Sequence, residues 1–278
     1  MDLLTSYKDN CGFGLVANIK NNPSHGLLNN AITALERMMH RGAVAADGKT
    51  GDGSGMLLSM PDSFMRKIAK DNGHKLPEDY AVAMIFTQDD KNIDTFIDVC
   101  HANDMKVLFQ RVVPVDIAAL GEQALASLPS IVQVFVVPNT LMGSKRFEAL
   151  LYLIRKETEH QFKDENELYI ASFDSKVISY KGLVMPTHIK EFYKDFQDTD
   201  FEISFSLFHQ RFSTNTLPQW RLAQPFRHIA HNGEINSVEA NRYNVAVKSE
   251  SIVSEVYSKE EINRILPIIQ GSMSDSAS

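Results

Sequence analysis

Apolar positions recur along this chain with two different periods. Runs that are continuously apolar or alternate with period two, at 14–19, 54–60, 80–86, 131–137, 168–173, 177–183 and 201–208, predict β-strands. Between them, Leu27, Leu28, Ala31, Ile32 and Leu35 follow helical spacing and predict an amphipathic helix over 24–40, with Ser24 as its N-cap. A second helix is predicted over 145–160, where Phe147, Leu150, Leu151 and Ile154 share a face. Further helices are expected over 62–72, 91–103, 187–196 and 236–247. Strands come in pairs separated by turns and then by helices, without the strict alternation of a doubly wound parallel sheet. An α+β layered fold with antiparallel sheets follows. No internal repeat or low-complexity linker divides the chain. Residues 88–165 carry little candidate chemistry and read as structural elaboration between two motif-rich ends.

Composition narrows the function classes. With 278 residues, 44% hydrophobic and 23% charged, the chain can bury a substantial core. A net charge of -7, with no Lys/Arg run interleaved with aromatics, argues against nucleic acid as a partner. No apolar run approaches the ~20 residues that span a bilayer, so no membrane partner is expected. Residues 1–6 lack the basic and apolar parts of a signal peptide, and a cytoplasmic location is the default expectation. Cys11 and Cys100 are too few for a disulfide framework and belong to no CxxC or Cys/His cluster, so no structural metal is assigned. Cys100, late in a predicted helix, reads as a buried inert thiol.

Cys11 is different, because only residues 1–10 precede it and Gly12, Phe13 and Gly14 follow. Trimming before Cys11 would leave a free α-amine beside its own thiol. Such an amine titrates near ~8 and can carry a proton at neutral pH, whereas the same nitrogen in a peptide bond cannot.

Three polar clusters accompany it. The first runs over 40–55, HRGAVAADGKTGDGSG, a glycine-rich loop leading into a strand. It matches neither the P-loop nor the dinucleotide fingerprint, and Asp47 and Asp52 lack calcium-loop spacing. A tight loop needing positive φ at Gly48, Gly51 and Gly53 accounts for most of it. The second, HQRFSTNT over 209–216, stands at the end of a predicted core strand. Arg211 there suits either a carboxylate clamp or an ordinary salt bridge. The third, HNGEIN over 231–236, joins an amide side chain to a glycine N–H. That pair can form an oxyanion hole, or simply a turn. His209, His228 and His231 show no metal-ligand pairing with a carboxylate.

Together, Cys11-Gly12-Phe13-Gly14, the 40–55 loop, HQRFSTNTLPQWRLAQPFRHIAHNGEIN over 209–236 and Ser274-Asp275-Ser276-Ala277-Ser278 resemble the glutamine amidotransferase domain of glutamate synthase large subunits. The resemblance runs from Cys11 to the last residue. It implies a class II, N-terminal-nucleophile hydrolase with a four-layer αββα sandwich, a propeptide of residues 1–10 and an amidotransferase domain over 11–278 that is incomplete at its C-terminus. It implies Cys11 as nucleophile, Asn232 and the Gly233 N–H as oxyanion hole, and L-glutamine as substrate. Arg211 would bind the substrate carboxylate, Thr214 would lie beside it and Asp275 would take the ammonium group. Arg41 would sit beside the nucleophile, with His231 and Asn215 behind. No cofactor is expected in this chain. FMN, an iron–sulfur cluster, the synthase domain and a small reductase subunit or ferredoxin would belong to the rest of a parent enzyme. The alternatives are a non-catalytic glutamine- or glutamate-binding module, an inert fragment, or a phosphate binder using the glycine-rich loop.

Overall fold

The computed structural model describes residues 12–210, 218–227, 229, 237–249 and 251–269. In chain order the elements are β1 (Gly12–Ala17), α1 (His25–Arg37), β2 (Ser54–Ser59), α2 (Asp62–Asp71), β3 (Ala81–Thr87), α3 (Asn92–Ala102), β4 (Met105–Val112), α4 (Glu122–Ala126) and β5 (Ser130–Pro138). They continue with α5 (Ser144–His160), β6 (Leu168–Asp174), β7 (Val177–Gly182), α6 (Ile189–Phe192), β8 (Phe205–Gln210), α7 (Val238–Ser249) and α8 (Lys259–Ile265).

Two four-stranded sheets form, ordered β1-β8-β2-β7 and β4-β5-β3-β6. Every pairing in both is antiparallel, which is the α+β layering expected from the sequence. β3 shows why its run is continuously apolar, since both of its faces are covered. Val82, Met84 and Phe86 join a core shared with α1, α2 and the first sheet's Met56, Leu58, Ile178, Tyr180 and Phe208. Ala81, Ala83 and Ile85 point the other way, into a second core with α3 and α5. The Ser24 Oγ accepts from the Leu27 N–H at 3.2 Å and caps α1, so that Leu28 and Leu35 are fully buried. Burying each leucine is worth roughly 1.5–3 kcal/mol.

Several boundaries differ from expectation. The helix predicted over 24–40 stops at Arg37 and continues as a 3-10 turn, Met39–Arg41. Residues 187–196 form no single helix. Tyr193 is extended, and α6 is flanked by 3-10 turns because Phe192, Tyr193 and Phe196 each turn into the aromatic core around Tyr180. β8 begins at Phe205, while Phe201 and Ile203 are buried from irregular backbone, held by the Ser24–Ile203 bridge. β4 and α8 were not anticipated. Residues 88–165 supply β4 and β5, half of the second sheet, in keeping with a structural role.

Cys100 is fully buried and free, facing α5, and burial pushes its thiol well above the ordinary range. It is therefore expected to resist iodoacetamide in the folded protein and to react once denaturant is added, as mass mapping of alkylated peptides would show.

Candidate active site

One end of the first sheet brings together the start of β1, the 40–55 loop and the end of β8. Gly12 of β1 pairs with Gln210 of β8, Gln210 pairs with Ser54 of β2, and Ser54 pairs with Gly182 of β7. A strand from late in the chain thus lies between the first two strands. Gly12 is the residue bonded to Cys11, and Gln210 is the residue bonded to Arg211. Cys11, Arg211, Thr214, Asn215, His231, Asn232, Gly233 and Asp275 themselves lie outside the described residues.

Arg41 is described. A Cβ built on Gly12 would approach the Arg41 Cγ to 3.3 Å and the Met38 Sδ to 3.2 Å, so the Arg41 stem packs directly over the start of β1. That contact brings two of the sequence motifs to the same strand end.

The 43–52 loop closes on itself. Ala45 N–H donates to the Thr50 carbonyl at 2.9 Å, and Asp52 N–H to the Ala43 carbonyl at 3.1 Å. Asp47 accepts from the Thr50 N–H at 2.7 Å, the Lys49 N–H at 2.9 Å and the Thr50 hydroxyl. The hydroxyl contact, then the amides, hold its carboxyl well below the usual range. Asp47 is thereby committed to shaping the turn. Gly48 and Gly53 have positive φ as expected, at 69° and 117°. Gly51 does not. Its requirement is space, because the Met185 backbone N lies 3.1 Å from where a Cβ would be.

Gln210 went unassigned in the sequence, yet it is 2% exposed, and its Oε1 is buried without a hydrogen-bond partner among the described residues. A Cβ on Gly42 would fall 1.7 Å from the Gln210 Nε2. The loop can cross the strand end only because residue 42 lacks a side chain. Gly42→Ala is expected to destabilise the fold by about 1–3 kcal/mol through overpacking. Adding Gln210→Ala should restore part of the loss in a thermal-melting double-mutant cycle.

The segment over 218–227 connects the second motif toward the third and is firmly seated. Trp220 packs where a Gly182 Cβ would stand, its ring carbon 2.2 Å from that point, and its Nε1–H donates to the Ala124 carbonyl at 3.1 Å. Lys181 Nζ donates to the Arg221 carbonyl at 2.9 Å and to Tyr169 Oη at 3.2 Å, and lies over the Phe226 ring. Burial, then the charges of Arg227 and Arg221, push the Lys181 pKa well down. Gly55 carries no Cβ where the Gln224 carbonyl oxygen would be 2.5 Å away. Among the described residues, no group of three His, Cys, Asp or Glu side chains could hold a metal ion. No helix among them is long and apolar enough to cross a membrane.

Comparison with known proteins adds to this geometry. The family model described as "Glutamine amidotransferases class-II" matches residues 11–278. The chain is 38% identical over 276 residues to the glutamate synthase [NADPH] large chain of Bacillus subtilis, covering 97% of this chain and 18% of that protein. It is 38% identical over 286 residues to the glutamate synthase [NADH] of Saccharomyces cerevisiae, covering 97% and 13%. It is 36% identical over 288 residues to the ferredoxin-dependent glutamate synthase 1 of Arabidopsis thaliana, covering 99% and 17%. The chain therefore spans less than a fifth of the length of these relatives. With a family match running from Cys11 to the last residue, the chain belongs to the class II glutamine amidotransferases.

Proposed function

We propose that this chain carries out the glutaminase half-reaction of a glutamate synthase, converting L-glutamine to glutamate and ammonia at Cys11. The observation that carries this reading is the Gly12–Gln210 pairing with Arg41 packed over Gly12, because the covalent neighbours of that pair are the proposed nucleophile and the proposed carboxylate clamp.

In this reading, residues 1–10 are a propeptide whose removal frees the Cys11 α-amine. The amine takes the thiol proton as Sγ attacks the substrate carboxamide carbon. The Asn232 side-chain amide and the Gly233 N–H donate to the oxygen that becomes negative. Collapse breaks the C–N bond, the α-ammonium returns the proton to the leaving nitrogen, and ammonia departs from a γ-glutamyl thioester. Water, deprotonated by the same amine, then cleaves the thioester to glutamate. Arg211 binds the substrate α-carboxylate, Thr214 hydrogen-bonds beside it, and Asp275 receives the α-ammonium. Arg41 completes the wall over the start of β1.

Ammonia released here would serve amination of 2-oxoglutarate in a synthase domain outside these 278 residues, where FMN and an iron–sulfur cluster would act. Its electrons would come from a reductase subunit or ferredoxin. The glutaminase step itself moves no electrons and needs no cofactor from this chain. Acid quenching during turnover tests the covalent step. Intact-mass analysis should show a glutamyl adduct on Cys11, and its absence from a turning-over sample under single-turnover sampling would reject the thioester.

A further inference from the structure

At the opposite end of β7 from the Gly182–Ser54 pair, a cavity of about 440 Å³ opens between α5 and the β6–β7 turn. Arg155 and Arg227 converge there on a single oxygen. The Arg155 Nη1–H and the Arg227 Nη2–H donate to Glu159 Oε1 at 3.3 and 2.9 Å, while Lys156 Nζ donates to Oε2 at 3.3 Å. Three cations thus share one carboxylate in a site where the Arg155 and Glu159 side chains are 11% exposed.

The guanidinium donors are largely unspent. Arg227 donates once more, to the Ile170 carbonyl at 3.0 Å, but its Nε–H is buried and has no partner among the described residues. Arg155 makes one hydrogen bond among the described residues and rests on the Tyr152 ring at 4.8 Å. Three cations around one carboxylate leave positive charge in excess, which is costly at such depth. Burial, then repulsion from Arg227, pulls the Arg155 pKa below its ordinary value.

Two acids, Asp174 and Glu148, stand at the rim of the cavity. Asp174 Oδ1 is taken by the Lys176 and Val177 N–H groups at 2.7 and 3.1 Å, which fix the turn. Glu148 accepts from the Ser175 hydroxyl, and burial raises its pKa. Lys176, also at the rim, adds positive charge.

We propose that this cavity binds a small carboxylate, its oxygens received by the Arg155–Arg227 pair and its apolar stem by Tyr152, Phe173 and Val177. Two planar guanidinium forks suit a planar carboxylate, and the apolar wall suits a carbon stem better than it suits a tetrahedral phosphate. The proposed glutaminase chemistry assigns no role to these residues.

Calorimetry on the full 278-residue chain, with butanoate and inorganic phosphate as probes at matched ionic strength, tests the assignment. Butanoate should bind saturably with one site and a dissociation constant on the order of 1 mM. Arg227→Gln should weaken it about tenfold or more, and Arg155→Lys, which keeps the charge but loses the fork, should weaken it comparably. The assignment is overturned by absence of saturable butanoate heat in the wild type, by phosphate binding more tightly than butanoate, or by unchanged binding in whichever of the two variants folds.

Discussion

Cys11→Ala is expected to lower glutamine hydrolysis by roughly four orders of magnitude or more, because nothing else in the proposed site can form the thioester. Its stability should hardly change. β1 begins at Gly12, and the cross-strand pairs that hold it run from Gly12–Gln210 to Ala17–Phe205, without requiring the thiol. A thermal melt within about 0.5 kcal/mol of wild type, with hydrolysis lost, would separate a chemical role from a structural one. Cys100 offers no substitute nucleophile, since it is fully buried and burial disfavours its thiolate. A Cys11→Ala protein that still hydrolysed glutamine at an appreciable fraction of the wild-type rate would remove Cys11 from the mechanism.

The largest expected effect on stability lies elsewhere, where the two sheets and the 194–197 turn meet. Arg111 of β4 donates through both terminal nitrogens to Asp195 and through Nε to Gln133 Oε1 at 2.8 Å. Tyr180 of β7 donates to Asp195 Oδ2 at 2.7 Å and accepts from Gln133 Nε2 at 2.9 Å. The circuit closes on itself with Asp195 3% exposed and Tyr180 fully buried. Every buried polar group in it has a partner supplied by another element. Asp195→Ala leaves a charged guanidinium and a tyrosine hydroxyl without their acceptor, which should cost about 3–5 kcal/mol in urea unfolding. Adding Arg111→Met should recover part of that loss, because an apolar replacement removes the stranded charge. A loss below about 1 kcal/mol for Asp195→Ala would mean that the circuit contributes little to holding the layers together.

This circuit also explains what the sequence concealed. β3 and β5 were legible because both faces of each are buried, and the β3 run is unbroken while only Gln133 interrupts that of β5. α1 was legible from Ser24 and from one apolar face. β4 was not, because its polar positions Lys106, Gln110 and Arg111 interrupt the apolar pattern. The partner that makes Arg111 a core residue is 84 positions away. Residues 187–196 have helical spacing, yet tertiary packing of Phe192, Tyr193 and Phe196 breaks them into turns. α8 carries a readable signal in its sequence: Ser258 and Glu261 form a capping box, with the Glu261 N–H reaching Ser258 Oγ at 3.2 Å and the Ser258 N–H reaching Glu261 Oε2 at 2.8 Å.

At the site, the motifs themselves were readable, and so was the positive φ of Gly48 and Gly53. The needs of Gly42 and Gly51 were not. Each depends on a strand or loop distant in sequence, Gln210 for one and Met185 for the other, and local spacing does not encode such approaches. Gln210 was hidden for the same reason. A glutamine at a strand end reads as solvated until its neighbours, Gly12 on one side and Ser54 on the other, are known.

In the proposed mechanism an amine exposed at Cys11 is the general base, so activity must follow removal of residues 1–10. Intact mass and glutaminase rate, measured on the same samples as processing proceeds, test this most directly. Activity is predicted to rise in proportion to the fraction of chains beginning at Cys11, with unprocessed chains inactive. Equal hydrolysis by chains that retain residues 1–10 would contradict it.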